Sequence, residues 1–153
     1  MKTLIVARHG SYADNRLTWG GREEAKRLSE ALAKMLGEAK PLIITSDARR
    51  ARETAEVIAE KFATEIQTYP ELNLDSFGGK EVDNAVALVI EKGAEYDYAI
   101  VVTHYACTIS IPKGVAKALL GKKIELEGEA DKGHAHILDC VTGRLEENVP
   151  ATI

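Results

Sequence analysis

Three short apolar runs in the chain each end just before polar residues with reactive or cationic side chains. These are residues 3–7 before Arg8 and His9, residues 41–45 before the segment 46–50 that contains Arg50, and residues 98–103 before His104. Short apolar runs bounded by polar residues are typical of strands buried in a parallel sheet. Ligands bind beyond the carboxyl ends of such strands, so we expect two histidines and two arginines to meet in one pocket.

Helical patterns separate these strands. Apolar residues recur at helical spacing after Thr18, which can cap a helix that runs to about Leu36 and ends at Gly37. Proline removes a helical hydrogen bond, so Pro112 predicts a kink or a restart in the last helix. The other predicted helices are one directly after Arg50, one over residues 82–93, and one after His104 whose clearest part is 115–120.

The remaining segments read as short strands and loops. Turn residues separate three candidate strands near the end of the chain, at 122–127, 134–141 and 144–148. One more strand is expected before an irregular loop near Pro70. Strands that alternate with helices predict an α/β fold of three layers, with a mostly parallel central sheet flanked by helices.

Composition limits the classes of function. The chain has 153 residues, which fits a single domain over 1–153, and 20 basic against 24 acidic residues give a net charge of −4. This balance argues against nucleic acid or a membrane surface as partner. Cys107 and Cys140 lie in apolar stretches and are predicted to be buried free thiols. The apolar run before Arg8 is too short for a signal peptide or a spanning helix, which predicts a cytoplasmic protein.

The residues expected at the strand ends suit a phosphate. A guanidinium binds phosphate oxygens two at a time, and a neutral imidazole can attack phosphorus as a nucleophile. Neighbouring guanidinium charges disfavour the imidazolium form, so His9 is expected to be neutral near pH 7. No cofactor and no metal are required for this chemistry.

Specific motifs occur at the same positions. Arg8-His9-Gly10 follows the first strand, the pattern Ser46-x-x-x-Arg50-Ala51-x-x-Thr54-Ala55 follows the second, and His104 follows the strand at 98–103. In this order the motifs resemble those of the histidine phosphatase superfamily, the phosphoglycerate-mutase-like proteins. The resemblance implies that His9 becomes phosphorylated, that Arg8 and Arg50 clamp the phosphoryl oxygens, and that His104 donates a hydrogen bond to them.

The loop at 72–79 departs from that family. It is similar to a mutase-branch loop in which a glutamate protonates the leaving oxygen, but the glutamate position here holds Leu74. A leucine cannot transfer a proton, so the acid is absent or has moved to Asp75 or Glu71. We favour Asp75 as a catalytic residue. The alternative is that both are ordinary solvated carboxylates.

The loss of this acid bears on the substrate. An alkoxide, whose parent alcohol has a pKa near ~16, needs a proton to leave, whereas an imidazole with a pKa of ~6.5 does not. The short chain is therefore similar to the branch that includes SixA-type phosphohistidine phosphatases. The expected partner is a phosphorylated protein or a small phosphorylated metabolite, and the oligomeric state stays open.

Weaker signals surround the predicted pocket. Asn15 and Tyr105 are expected to contact the substrate beside Arg8, Arg50 and His104. His134 and His136 lack further ligands at a clear spacing, so a metal site is not predicted there. Two rival functions remain. One is a small-molecule phosphomonoesterase, and the other is a non-catalytic module that binds a phosphorylated partner.

Overall fold

A central six-stranded sheet carries helices on both faces in the computed structural model, which describes residues 1–151. The strands are β1 (Thr3–Arg8), β2 (Tyr12–Ala13), β3 (Arg16–Leu17), β4 (Leu42–Thr45), β5 (Ile66–Thr68), β6 (Tyr98–Thr103), β7 (Ala135–Asp139) and β8 (Leu145–Val149). The helices are α1 (Trp19–Leu36), α2 (Arg49–Phe62), α3 (Lys80–Gly93) and α4 (Cys107–Leu120), with a 3₁₀ turn at Pro70–Leu72. The order across the sheet is β5-β4-β6-β1-β7-β8.

The sheet is mostly parallel, as predicted. Strands β5, β4, β6 and β1 run parallel, and β7 and β8 join antiparallel at one edge. Side chains alternate between the two faces, so Ile5 packs with α1 and α2 while Leu4 and Val6 pack with α3 and α4. One core lies on each face of the sheet, between the sheet and its helices, and this arrangement gives the three predicted layers. None of the described helices has both the length and the apolar composition needed to cross a bilayer.

Strand register places the chemically active segments side by side. Arg8 pairs with Thr103 across β1 and β6, and Thr45 pairs with Val102 across β4 and β6. His9 therefore emerges beside His104, and Ser46 emerges on the other side of His104. The amide of His9 donates to the Thr103 carbonyl at 3.3 Å, which extends the ladder beyond the last strand residue. The carboxyl ends of β1, β4 and β6 thus bring together the residues that follow these three strands in the sequence.

The first helix confirms its predicted ends. Thr18 accepts a hydrogen bond from the Gly21 amide at 3.0 Å, and Gly37 ends the helix with φ of 60°. Gly21 also lies against the loop after β1, where a Cβ on Gly10 would be 2.6 Å from the Gly21 carbonyl oxygen. This close backbone approach fixes the loop that begins at His9.

One prediction about local structure is wrong. Residues 122–127 form no strand, although Ile124 and Leu126 alternate with charged residues. Both side chains pack on the core, but the Glu127 amide donates to the Glu147 carboxylate at 2.9 Å, so no backbone ladder forms. Helix α4 continues through Pro112 without a restart, and Pro112 is buried. A kink at this residue stays a prediction.

Both cysteines are buried and unpaired, as predicted from their apolar surroundings. Cys107 begins α4 and its thiol donates to the Leu74 carbonyl at 3.1 Å, which ties the 72–79 loop to the helix. Burial raises the pKa of the Cys140 thiol to about 11, so this side chain remains a neutral core residue.

Candidate active site

His9 is one of the buried polar side chains at the carboxyl ends of the strands. Its side chain is buried, and its Nδ1 lies 3.0 Å from the Gly10 carbonyl oxygen. Because a carbonyl only accepts, this contact requires the proton on Nδ1 and leaves a lone pair on Nε2. Arg50 Nε donates to that Nε2 at 3.3 Å. The His9 ring is therefore held with its unprotonated Nε2 toward the Arg50 guanidinium.

Arg50 connects three parts of the site. It lies in the first turn of α2, which follows β4 and aims the side chain across the strand ends. Its Nη1 donates to Asn15 Oδ1 at 2.7 Å, and its Nη2 lies 3.3 Å from His104 Nδ1. Thr54, one turn later, accepts from the Gly10 amide at 3.0 Å and donates to the Arg50 carbonyl at 2.8 Å. Helix α2 therefore positions both the Arg50 guanidinium and the loop that begins at His9.

Arg8 supplies the second guanidinium. Its Nη1 donates to the Ala130 carbonyl at 3.4 Å, and its guanidinium carbon lies 4.9 Å from the centre of the Tyr105 ring. Its Nε is buried and, among the described residues, finds no hydrogen-bond acceptor. A buried cationic donor without an acceptor is costly in a finished structure, so this atom indicates a site for an anion.

His104 has one nitrogen toward Arg50 and one toward Ser46. Its Nε2 lies 2.9 Å from Ser46 Oγ, which also accepts from the Ala48 amide at 3.3 Å. Since the guanidinium only donates, His104 Nδ1 accepts and Nε2 carries the proton toward Ser46. In the other tautomer of His104 the proton is on Nδ1, toward the pocket, and Nε2 accepts from the serine hydroxyl. Ser46 can pair with both tautomers, so the group that faces Nδ1 selects between them: a guanidinium donor selects the free lone pair, and an anion selects the N–H.

Both site histidines are held neutral. Burial is the largest cause that lowers the pKa of His9 to about 4, and His104, Arg50 and Arg8 add to it against the opposing Gly10 hydrogen bond. Burial also lowers the pKa of His104 to about 4, with Arg50 as the next cause. From the sequence, we expected neighbouring guanidinium charges alone to keep His9 neutral. The structure shows that desolvation contributes more.

These pKa values predict the acid limit of turnover. Attack needs an unprotonated His9 Nε2, so kcat/KM should fall as the pH drops through about 4 rather than 6.5. NMR titration of the imidazole Cε1–H signals checks this directly, and a pKa near 6.5 for His9 would contradict it. Stability should also fall between pH 6.5 and 4, because the unfolded chain binds protons that the folded histidines do not.

The three residues considered for the missing acid lie in different settings. Leu74 packs against the core, so its side chain offers nothing to the pocket. Asp75 is exposed, accepts from the Ala106 amide at 2.7 Å, and raises the pKa of His104 by its charge. Glu71 is exposed on the 3₁₀ turn. Of the two carboxylates, Asp75 is the one whose charge acts on a site histidine.

The predicted substrate contacts lie at the pocket entrance. Asn15 occupies the turn of the β2–β3 hairpin with φ of 62° and holds Arg50. Tyr105 is half exposed, with its ring against Arg8 and its hydroxyl hydrogen-bonded to Glu129, which raises the pKa of the phenol. Tyr12 lies edge-on to His9, with 5.1 Å between ring centres. Aromatic rings thus border the pocket beside each arginine.

Several contacts were not predicted from the sequence. Ser46 and Thr54 belong to the motif that follows β4, but their roles as partners of His104 and Gly10 depend on packing between distant segments. The Ala130 carbonyl reaches Arg8 from a part of the chain with no diagnostic motif. Pairs of this kind carry no signal in one sequence, because each residue alone is compatible with many surroundings.

The two other histidines lie apart from this cluster. His136 is buried on β7, where its Nε2 donates to the Gly128 carbonyl at 2.8 Å and its Nδ1 accepts from the Asn148 amide at 3.0 Å. His134 contacts the Lys132 carbonyl at 3.0 Å. Within residues 1–151, no three histidine, cysteine or acidic side chains are grouped to hold a metal ion.

Solved structures of several phosphatases and of a phosphoglycerate mutase have the same fold. Solved structures that match include a mycobacterial glucosyl-3-phosphoglycerate phosphatase complexed with VO3, at 19% identity and a TM-score of 0.70, over 99% of this chain and 100% of that one. A proposed phosphohistidine phosphatase SixA from Nakamurella multipartitia matches at 21% identity and a TM-score of 0.67, over 97% and 94%. Phosphoglycerate mutase from Plasmodium falciparum matches at 25% identity and a TM-score of 0.61, over 95% and 87%.

Sequence comparison gives the family. No protein with a curated description matches this chain. The sequence profile of the histidine phosphatase superfamily (branch 1) matches residues 4–83, which include Arg8, His9, Arg50 and Asp75. The profile covers about half of the chain, and the chain belongs to the histidine phosphatase superfamily.

Proposed function

We propose that the protein is a phosphatase that acts without a metal, through a phosphohistidine formed on His9, and that it prefers phosphohistidine or another phosphate with a good leaving group. The observation that carries this proposal is the pairing of His9 Nε2 with Arg50, beside the buried Arg8 Nε that has no acceptor among the described residues. A phosphoryl group between them would meet a nucleophile and two guanidinium donors.

The reaction follows from these positions in two displacements. His9 Nε2 attacks phosphorus, its bond to phosphorus forms, and the bond from phosphorus to the leaving group breaks. A water molecule then attacks the phosphohistidine, and inorganic phosphate leaves as His9 regains its lone pair. Phosphoryl transfer needs mainly in-line positioning and stabilisation of oxygen charge, which Arg8, Arg50 and an N–H from His104 supply.

The presence of Leu74 instead of an acid affects which leaving groups the site can release. Its side chain packs in the core, so the loop offers no acid at the position used by the mutase branch. An imidazole leaves phosphorus without strong assistance, and its transfer to His9 exchanges one phosphorus–nitrogen bond for another. This near balance of bond energies supports phosphohistidine as the substrate group.

A small-molecule phosphomonoesterase is the second candidate, and the position of Asp75 favours it. The Asp75 carboxylate accepts from the Ala106 amide at the start of α4, and its negative charge raises the pKa of His104. A carboxyl group there could protonate an alkoxide as it leaves. The two candidates share the nucleophile and both arginines, so they differ only in the need for this acid.

The experiment compares phosphate release from a phosphohistidine peptide and from 3-phosphoglycerate, an alkyl ester, without added metal. We expect the wild type to favour the peptide. In Asp75→Asn, we expect hydrolysis of the peptide to change less than twofold and hydrolysis of the alkyl ester to fall by about 10²-fold, the usual size of a general-acid contribution. Asparagine keeps an oxygen for the Ala106 amide, so the helix start is preserved.

Each outcome separates the candidates. Preference for the alkyl ester, with a strong dependence on Asp75, would replace the phosphohistidine proposal by the phosphomonoesterase. Equal turnover of the ester in Asp75→Asn and wild type would remove Asp75 from the mechanism. Absence of turnover with both substrates, combined with tight binding of phosphate, would indicate the non-catalytic binding module.

A further inference from the structure

One wall of the pocket comes from a loop outside the matched family segment. We call residues 128–133 the rim loop; it leads into β7 and contributes the Ala130 carbonyl to Arg8. Five hydrogen bonds hold it. They are Gly128 O to His136 Nε2 at 2.8 Å, Ala130 N to Thr108 Oγ1 at 3.0 Å, Asp131 N to Asn148 Oδ1 at 2.9 Å, and Gly133 N to the Arg8 and His9 carbonyls at 3.1 Å.

The acidic side chains of the rim loop already have partners. Asp131 Oδ2 accepts from Asn148 Nδ2 at 2.8 Å, and Glu129 accepts from the Tyr105 hydroxyl. Lys132 differs, because across residues 1–151 its ammonium group forms no ion pair and no side-chain hydrogen bond. The rim loop therefore has one cation without a direct partner among residues 1–151, beside two carboxylates whose hydrogen-bond donors are neutral, on a backbone that is held on both sides.

This charge is directed toward the active site. Lys132 Nζ lies 5.7 Å from the centre of the Tyr12 ring, and the Arg50 guanidinium carbon lies 4.9 Å from the same centre. The Tyr12 ring is itself in edge contact with His9. Arg50 contacts His9 directly, whereas Lys132 contacts the Tyr12 ring. A phosphoryl group held by Arg8 and Arg50 would leave Lys132 free for another anion.

We propose that Lys132 binds a second anionic group of the substrate, a carboxylate or a further phosphate, carried by the leaving group that separates from phosphorus. The proposal rests on the phosphoryl site of the proposed function and adds a preference among its substrates. Tyr12 contributes a flat surface between the two anion sites. The preferred substrate class is thus a phosphate whose leaving group is acidic, rather than one that is neutral or cationic.

Binding of stable phosphonates tests this without turnover. We compare carboxybenzyl phosphonates with the matched carbamoylbenzyl phosphonates, substituted at position 3 or 4, which differ in charge but hardly in shape. The wild type should bind at least one carboxylate about fivefold more tightly than its amide, the size of an exposed ion pair. Lys132→Gln should remove this difference and leave the Kd of the amide unchanged, and high salt should weaken it.

The control is Lys61→Gln, which removes an exposed lysine from the far end of α2 and should keep the fivefold preference. Equal affinity of the wild type for both members of each pair, or a preference that survives in Lys132→Gln, would overturn the proposal. Selective phosphonate binding by a protein with no phosphatase activity would support Lys132 while contradicting the proposed function.

Phosphohistidine peptides show where the anion comes from. Peptides with glutamate or glutamine next to the phosphohistidine are compared at fixed length in wild type and Lys132→Gln. Faster hydrolysis of the glutamate peptide by the wild type only would assign the anion to a protein substrate. A preference limited to the small phosphonates would assign it to an acidic metabolite, and both results support the contact with Lys132.

Discussion

Substitution of His9 by alanine should lower turnover of every phosphate substrate by at least about 10⁴-fold, because the nucleophile and the covalent intermediate are lost together. The Nε2 atom of His9 is the nitrogen left unprotonated by the contact of Nδ1 with the Gly10 carbonyl, and His9→Ala removes it. The measurement is kcat/KM by phosphate release, with thermal unfolding to show that the variant folds.

Trapping the intermediate makes this test specific. Rapid quenching in base after mixing with labelled substrate should retain a phosphoryl group on the wild type, since phosphohistidine resists base and is lost in acid. His9→Ala should retain none. His134→Ala is the matched control, because His134 contacts the Lys132 carbonyl outside the cluster, and it should label like the wild type. Label that persists in His9→Ala would assign the nucleophile to another residue.

The strand ends could be predicted because each rests on a local pattern. An apolar run followed by Arg8 and His9, or by His104, predicts a buried strand and the side chains that come after it. The sheet then brings these ends together through the pairing of Arg8 with Thr103. No knowledge of the register was needed, since parallel strands place their carboxyl ends at one edge.

The rim loop could not be predicted for the opposite reason. Its position depends on His136 and Asn148, which lie on later segments and contact it only after β7 and β8 join the sheet. The same dependence on packing explains the error at residues 122–127. Alternation of apolar residues there reflects contact of Ile124 and Leu126 with the core, and a strand also requires an adjacent backbone to pair with.

The causes of the histidine pKa values show the same limit. Charges near His9 could be read from neighbouring residues in the motifs, and Arg50 and Arg8 do lower its pKa. Burial, the largest cause, depends on which distant segments pack around His9 in the folded chain. Chemistry that arises from residue identity was accessible from the sequence, whereas chemistry that arises from exclusion of water required the structure.

Replacement of Arg50 by alanine should reduce kcat/KM by roughly 10²- to 10³-fold, the range found when one transition-state donor is removed. The side chain contacts His9, Asn15 and His104 at once, so the loss combines phosphoryl stabilisation with positioning of both rings. Arg52→Ala, two residues later on the same helix with its side chain exposed, is the control and should retain wild-type activity.

The pH dependence separates the charge of Arg50 from its geometry. Arg50 lowers the pKa of both His9 and His104, so Arg50→Ala should move the acid limb of the rate profile to higher pH. Arg50→Lys keeps the charge and should leave that limb in place, yet its rate should remain low, because one ammonium group cannot replace a planar donor that reaches three partners. An Arg50→Lys enzyme with wild-type kcat would show that charge alone suffices and that the forked geometry is dispensable.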